Sequence, residues 1–97
     1  MSVTVILEVT AKPERVEDLI AMFGENFKQT RVYDGCIDVA MSRSHDDRNH
    51  LALVMTWEKR EQYEGYLQWR GDTGAVEKLA AMAAKEPTFR YFDKLDA

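Results

Sequence analysis

The chain has 97 residues, which is enough for one hydrophobic core, so residues 1–97 read as a single domain. With 45% hydrophobic and 31% charged residues, the composition is that of a globular protein and argues against intrinsic disorder. The net charge of −4, with Lys and Arg scattered among acids, argues against a nucleic acid or an anionic membrane as partner, because both require a clustered basic face.

The first stretch, "MSVTVILEVTAKPE", has no basic n-region, and its apolar run is short and alternating, so neither a signal peptide nor a membrane helix is expected. Residues 3–10 alternate and are rich in β-branched types, which predicts a first strand. Val3, Val5, Leu7 and Val9 share one face of it; Thr4, Ile6, Glu8 and Thr10 share the other. Pro13 suits the first turn of a helix, where its missing N–H is not needed. Val16, Leu19, Ile20, Phe23 and Phe27 follow at helical spacing, with Glu14, Glu17 and Asp18 where the macrodipole favours acids. Asp34-Gly35 ends the connection, and a second strand is expected over about 36–44.

The turn-forming "HDDRN" joins this strand to "HLALVMTWE", residues 50–58, so the two make a hairpin. "KREQYEGYLQWR" predicts a helix ending at Gly71, and "TGAVEKLAAMAAKE" a second, Ala-rich helix stopped by Pro87. "TFRYFDKL", residues 88–95, predicts the last strand. The order is βαββααβ, an α+β chain of ferredoxin-like type with an antiparallel four-stranded sheet. In the second strand the alternation groups Ile37, Val39 and Met41 opposite Cys36, Asp38 and Ala40. One sheet face packs on the helices, yet the other keeps Ile6, Val54 and Phe92, which is too apolar for full solvation. A second copy of the sheet is the simplest cover, which predicts a two-fold homodimer.

Few residues carry an obvious chemistry. No glycine-rich phosphate loop, Cys-x-x-Cys, His-Glu-x-x-His or Gly-x-Ser-x-Gly occurs. His45 and His50 flank Asp46 and Asp47, but a hairpin turn does not by itself hold metal ligands, and an ordinary polar turn is the simpler reading. No metal is expected. Cys36, the one cysteine, cannot form an intrachain disulfide; it fits a reducing compartment, the cytoplasm, and reads as an inert thiol in a strand. Asp38 and Glu8 could serve as half-buried bases, or simply face water or pair with an Arg. The densest candidate is the aromatic stretch Trp57, Tyr63, Tyr66 and Trp69, whose polar tips need partners when buried. Core filling and pocket lining both fit that stripe.

"VTAKPERVEDLIAMFGENF", followed by "TRVYDGCIDVAMSRSHDDRNHLALVMTWEKREQYEGYL", resembles the antibiotic biosynthesis monooxygenase family of dimeric α+β barrels. The resemblance covers roughly residues 3–90. It rests on Lys12-Pro13, Thr30-Arg31, Gly35-Cys36, and Trp57 with an aromatic helix after it. It implies a cofactor-independent monooxygenase that uses molecular oxygen as co-substrate on a small aromatic, quinol or polyketide-like molecule held between sheet and helices. Trp57, Tyr63 and Tyr66 are then the candidate catalytic residues, and Phe23, Phe27 and Met55 join them in binding the substrate. The family also includes haem-degrading and isomerising members. A non-catalytic binding barrel, or an isomerase or lyase of a small carbonyl compound, is the alternative.

The departures from the family pattern bear on catalysis. Tyr66 stands where many members have a His, and Met55 where many have a Glu. Leu7 and Val76 occupy the positions nearest the Asn and His of the haem-degrading branch, so haem degradation is not expected. A Tyr with an unperturbed pKa near 10 is a poor base at neutral pH where a His is a good one.

Overall fold

The computed structural model describes residues 2–96. The alternation over the first strand is realised as β1, Val3–Thr10, whose Val3, Val5, Leu7 and Val9 are buried. Pro13 opens a 3-10 turn, Pro13–Arg15, and the helix α1 begins after it, at Val16, and runs to Thr30. Arg15, at φ −117° and ψ −1°, separates the two segments. Along α1 the buried residues Val16, Leu19, Phe23, Phe27 and Thr30 recur at the spacing of one helical face.

The hairpin consists of β2, Cys36–Arg43, and β3, His50–Trp57. Ser44 Oγ accepts the backbone N–H groups of Asp46 and Asp47 in the turn, and Asp47 Oδ1 accepts that of Asn49. The remaining elements are α2, Arg60–Asp72, α3, Ala75–Met82, and β4, Thr88–Asp93. All strand pairs are antiparallel and the sheet order is β2-β3-β1-β4, which is the ferredoxin-like arrangement. The three helices cover one face, and the core forms between them and Val39, Leu51, Leu53, Met55 and Trp57 of the sheet.

Two local expectations change. The register of β2 against β3 slips between Cys36 and Asp38, so Ile37 is the extra residue of a bulge. Cys36 therefore faces inward with Val39 and Met41, while Ile37 lies exposed instead of joining them. The Ala-rich helix stops at Met82, well before Pro87. Ala83 bridges Ala11, the Ala84 N–H donates to the Thr10 carbonyl at 2.7 Å, and the Lys12 N–H to that of Met82 at 2.8 Å. Those backbone bonds outweigh the helix preference of Ala.

The outer sheet face places Ile6 between Val54 and Arg90, with Phe92 opposite Thr4. Val54 and Phe92 are exposed there. On the same face Glu8 Oε1 meets His50 Nε2 at 2.9 Å, the Thr10 hydroxyl lies 2.8 Å from His50 Nδ1, and Arg90 stands 3.9 Å from Glu8. Among the described residues no helix is long and apolar enough to cross a membrane.

Candidate functional site

A narrow cavity of about 60 Å³ lies between the sheet and all three helices. Its floor is Leu7, Leu53 and Met55 of the sheet; α1 contributes Met22, Phe23 and Phe27, and α3 contributes Val76 and Leu79. The polar atoms are gathered where α1 faces α2, at Asn26, Thr30, Tyr63, Tyr66 and Arg70.

Tyr63, Tyr66 and Arg70 sit at i, i+3 and i+7 of α2, which turns all three toward the sheet. The Arg70 Nε–H donates to Tyr66 Oη at 2.8 Å, Tyr66 Oη is 2.6 Å from Thr30 Oγ1, and the Thr30 hydroxyl donates to the Asn26 carbonyl at 3.0 Å. An Arg70 terminal nitrogen donates to that same carbonyl at 2.7 Å, so the bonds close into a ring. The other terminal nitrogen donates to Gln29 Oε1 at 2.9 Å. Thr30 and Arg70 are both buried. The guanidinium also stacks near Trp69, 4.7 Å from its ring centroid.

Tyr63 is nearly inaccessible, and burial, followed by the neighbouring Tyr91 and Tyr66, pushes its phenol well above the ordinary tyrosine range. It stays neutral at physiological pH and can only donate or accept a hydrogen bond there.

The structure brings Phe23, Phe27, Met55, Tyr63 and Tyr66 onto the cavity wall. Trp57 packs against Tyr63 and Tyr66 with ring centroids 5.5 and 5.3 Å away, but does not itself line the cavity. Its indole N–H is buried with no partner among the described residues. Tyr33, which the sequence reading passed over, links Trp57, Tyr66 and Trp69 into one aromatic cluster.

The other candidates lie elsewhere. Glu8 and His50 are on the outer sheet face, and Asp38 is exposed on the edge strand β2. Burial pushes the Cys36 thiol up, which keeps it protonated and unreactive. No group of three or more His, Cys, Asp or Glu among the described residues could hold a metal ion.

Arg70, Thr30 and Asn26 are the site residues that sequence reading missed. The signal was present: Arg70 completes the spacing of Tyr63 and Tyr66, and Thr30 that of Phe23 and Phe27. Arg70 was passed over as the end of a helix, Thr30 served only as a marker of the family resemblance, and Asn26 was not singled out.

The same fold occurs in solved structures of low sequence identity. A conserved protein from Methanosarcina mazei Go1 superposes with a TM-score of 0.89 at 17% identity, covering 98% of this chain and 94% of that one. A crystal structure of an antibiotic biosynthesis monooxygenase superposes with a TM-score of 0.85 at 19% identity, covering 96% and 98%. A Mycobacterium tuberculosis protein gives a TM-score of 0.81 at 20% identity, covering 100% and 98%. No functionally curated protein matches the chain. The family model for antibiotic biosynthesis monooxygenase matches residues 2–71, which include the sheet strands β1 to β3, α1 and nearly all of α2. The chain belongs to the antibiotic biosynthesis monooxygenase family.

Proposed function

We propose that this chain oxygenates a small aromatic or quinol-type molecule in the cavity beneath α2, without metal or flavin. The observation that carries the reading is an apolar cavity whose wall also bears a neutral phenol, Tyr63, and a buried guanidinium, Arg70. Family membership supports the monooxygenase class.

In such a reaction an activated methylene flanked by aromatic rings is converted to a carbonyl, with one oxygen atom of O₂ retained and the other leaving as water. The substrate supplies the electrons as its enolate or phenolate, having given its proton to water before it enters the cavity. The protein supplies a dry apolar site, oriented donors and a positive charge to stabilise the developing oxyanion. Tyr63 would donate to the substrate oxygen on which charge develops, and Arg70, held in place by Tyr66, would attract negative charge at the other end. Ligand sites for molecules of this size occupy roughly 300–1,000 Å³. The cavity of about 60 Å³ therefore has to widen on binding, by movement of side chains or of the short helix α3.

The outer face, with exposed Val54 and Phe92, would pair with a second copy of the sheet, giving a homodimer. The lone, unreactive thiol suits a reducing compartment such as the cytoplasm.

Oxygen uptake measured with anthrone, whose bridging methylene would become a carbonyl of anthraquinone, tests the reading. Consumption above the protein-free rate, reduced by Tyr63→Phe, is the expected result. No excess consumption with a panel of such substrates would sink it. A second reading, non-catalytic binding, is favoured by one observation: neither a carboxylate nor an imidazole lines the cavity among the described residues. Ligand-dependent thermal stabilisation without oxygen uptake would support that alternative.

A further inference from the structure

Arg70 is 6% exposed, and none of the ion pairs among the described residues includes it. A guanidinium keeps its charge under all ordinary conditions, so burial without a counter-charge carries a standing penalty. The neutral acceptors Tyr66, Gln29 and Asn26 each take one of its N–H groups. Of the five donors on a guanidinium, each terminal nitrogen retains one.

Its position is as informative as its charge. Met22, Asn26, Arg70 and Ala75 border the inner cavity and also a surface groove of about 260 Å³. Arg70 is thus part of the partition between solvent and cavity. Lys78 lies in the groove outside, the second positive charge on that path.

We infer that Arg70 is a specificity residue that binds a carboxylate carried by the aromatic ligand, at the end of the cavity facing the groove. The inference rests on the reading of this cavity as an aromatic-binding site. A carboxylate is planar and has two oxygens, which matches one free N–H on each terminal nitrogen. A phosphate would bring more oxygens than this apolar wall has donors to satisfy. The anion would supply the missing counter-charge in a setting where little water screens the attraction.

Calorimetric titration with salicylate and with methyl salicylate, at equal ionic strength, tests it. Salicylate is expected to bind about ten- to a hundredfold more tightly, the range that charge-assisted hydrogen bonds supply. Arg70→Met should abolish that preference, so that the two probes bind equally. Should Arg70→Met fail to fold, the terminal guanidinium N–H resonances of Arg70 in the unaltered protein are followed by NMR. Salicylate should shift them and the ester should not. Equal affinity of the unaltered protein for the two probes, or Arg70 resonances unmoved by bound salicylate, overturns the carboxylate assignment and leaves the aromatic-pocket reading standing. If neither probe binds, the assignment is overturned as well, and oxygen uptake with anthrone decides the pocket reading separately.

Discussion

The Nε–H of Arg70 donates to the phenolic oxygen of Tyr66 across 2.8 Å, and this contact sets the direction of the bonds that follow it. Thr30 spends its single proton on the Asn26 carbonyl, so at 2.6 Å Tyr66 donates its own proton to Thr30 Oγ1. Each proton is used once and the ring closes through Arg70 and Asn26. Tyr66 thus has its hydroxyl committed to structure. This weakens any role for it as a base and strengthens its role in holding the guanidinium in place.

Tyr66→Phe removes the shared partner of Arg70 and Thr30 and leaves both short of a bond in a buried site. A loss of about 1–3 kcal/mol in unfolding free energy is expected, read as a lower urea midpoint with an unchanged m-value. Thr30→Val should also destabilise, and the double variant should cost less than the sum of the two, because both changes break the same ring. Strict additivity would show that the ring does not act as a unit.

Gly35 has φ +96°, and a Cβ there would meet the Gln62 side chain at 2.3 Å. That side chain is engaged: Gln62 Oε1 accepts the Lys59 N–H at 3.0 Å and caps α2. Gly74 has φ +85° but open space around a Cβ. Gly74→Ala should cost about 1–2 kcal/mol from backbone strain alone, and Gly35→Ala more, since it also displaces a helix cap. Equal losses in chemical denaturation would show that Gln62 yields freely.

The alternation of β1 and β3 and the stripe of α1 were legible because each is a local pattern facing one core. The bulge at Ile37 was not, because register belongs to the pair of strands and not to either one. The early end of α3 was hidden for a similar reason: its Ala run favours a helix, and only backbone pairing with Thr10 at the end of β1 and Ala11 after it draws Ala83 and Ala84 away. In the site, apolar and aromatic residues could be assigned from spacing. Arg70 was passed over, although it completes the spacing of Tyr63 and Tyr66, because a cation in the last turn of a helix is already explained by the macrodipole. Only the third dimension shows it turned inward.

Glu8 is held below the ordinary carboxylate range, first by its hydrogen bond to His50 and then by the charges of His50 and Arg90, against a smaller opposing effect of burial than that bond. A depressed folded value means that the pairing stabilises the fold above the unfolded value near 4.5, and that this is lost as pH falls through the folded value. Glu8→Gln should therefore be less stable than the parent above about pH 4.5, with the gap closing under more acidic conditions. Urea denaturation from pH 3 to 7 measures this. A gap that widens towards low pH would contradict the assignment of the His50 contact as stabilising.

Burial raises the Tyr63 phenol above its unfolded value of 10.0, with Tyr91 and Tyr66 adding to the effect. For a group raised in the folded state, the stability it contributes is complete below the unfolded value and disappears as pH rises through the folded one. Wild-type protein should therefore lose stability above about pH 10 faster than Tyr63→Phe does. Phenolate absorbance offers a second readout. The native titration near pH 10 should be the same in wild type and Tyr63→Phe, whereas the denatured end point should fall from four tyrosines to three. A native titration that loses amplitude near pH 10 in the variant would mean that Tyr63 ionises there. Burial would then not hold the Tyr63 phenol above its ordinary range, and the dry wall that the oxygenation mechanism requires would be absent there.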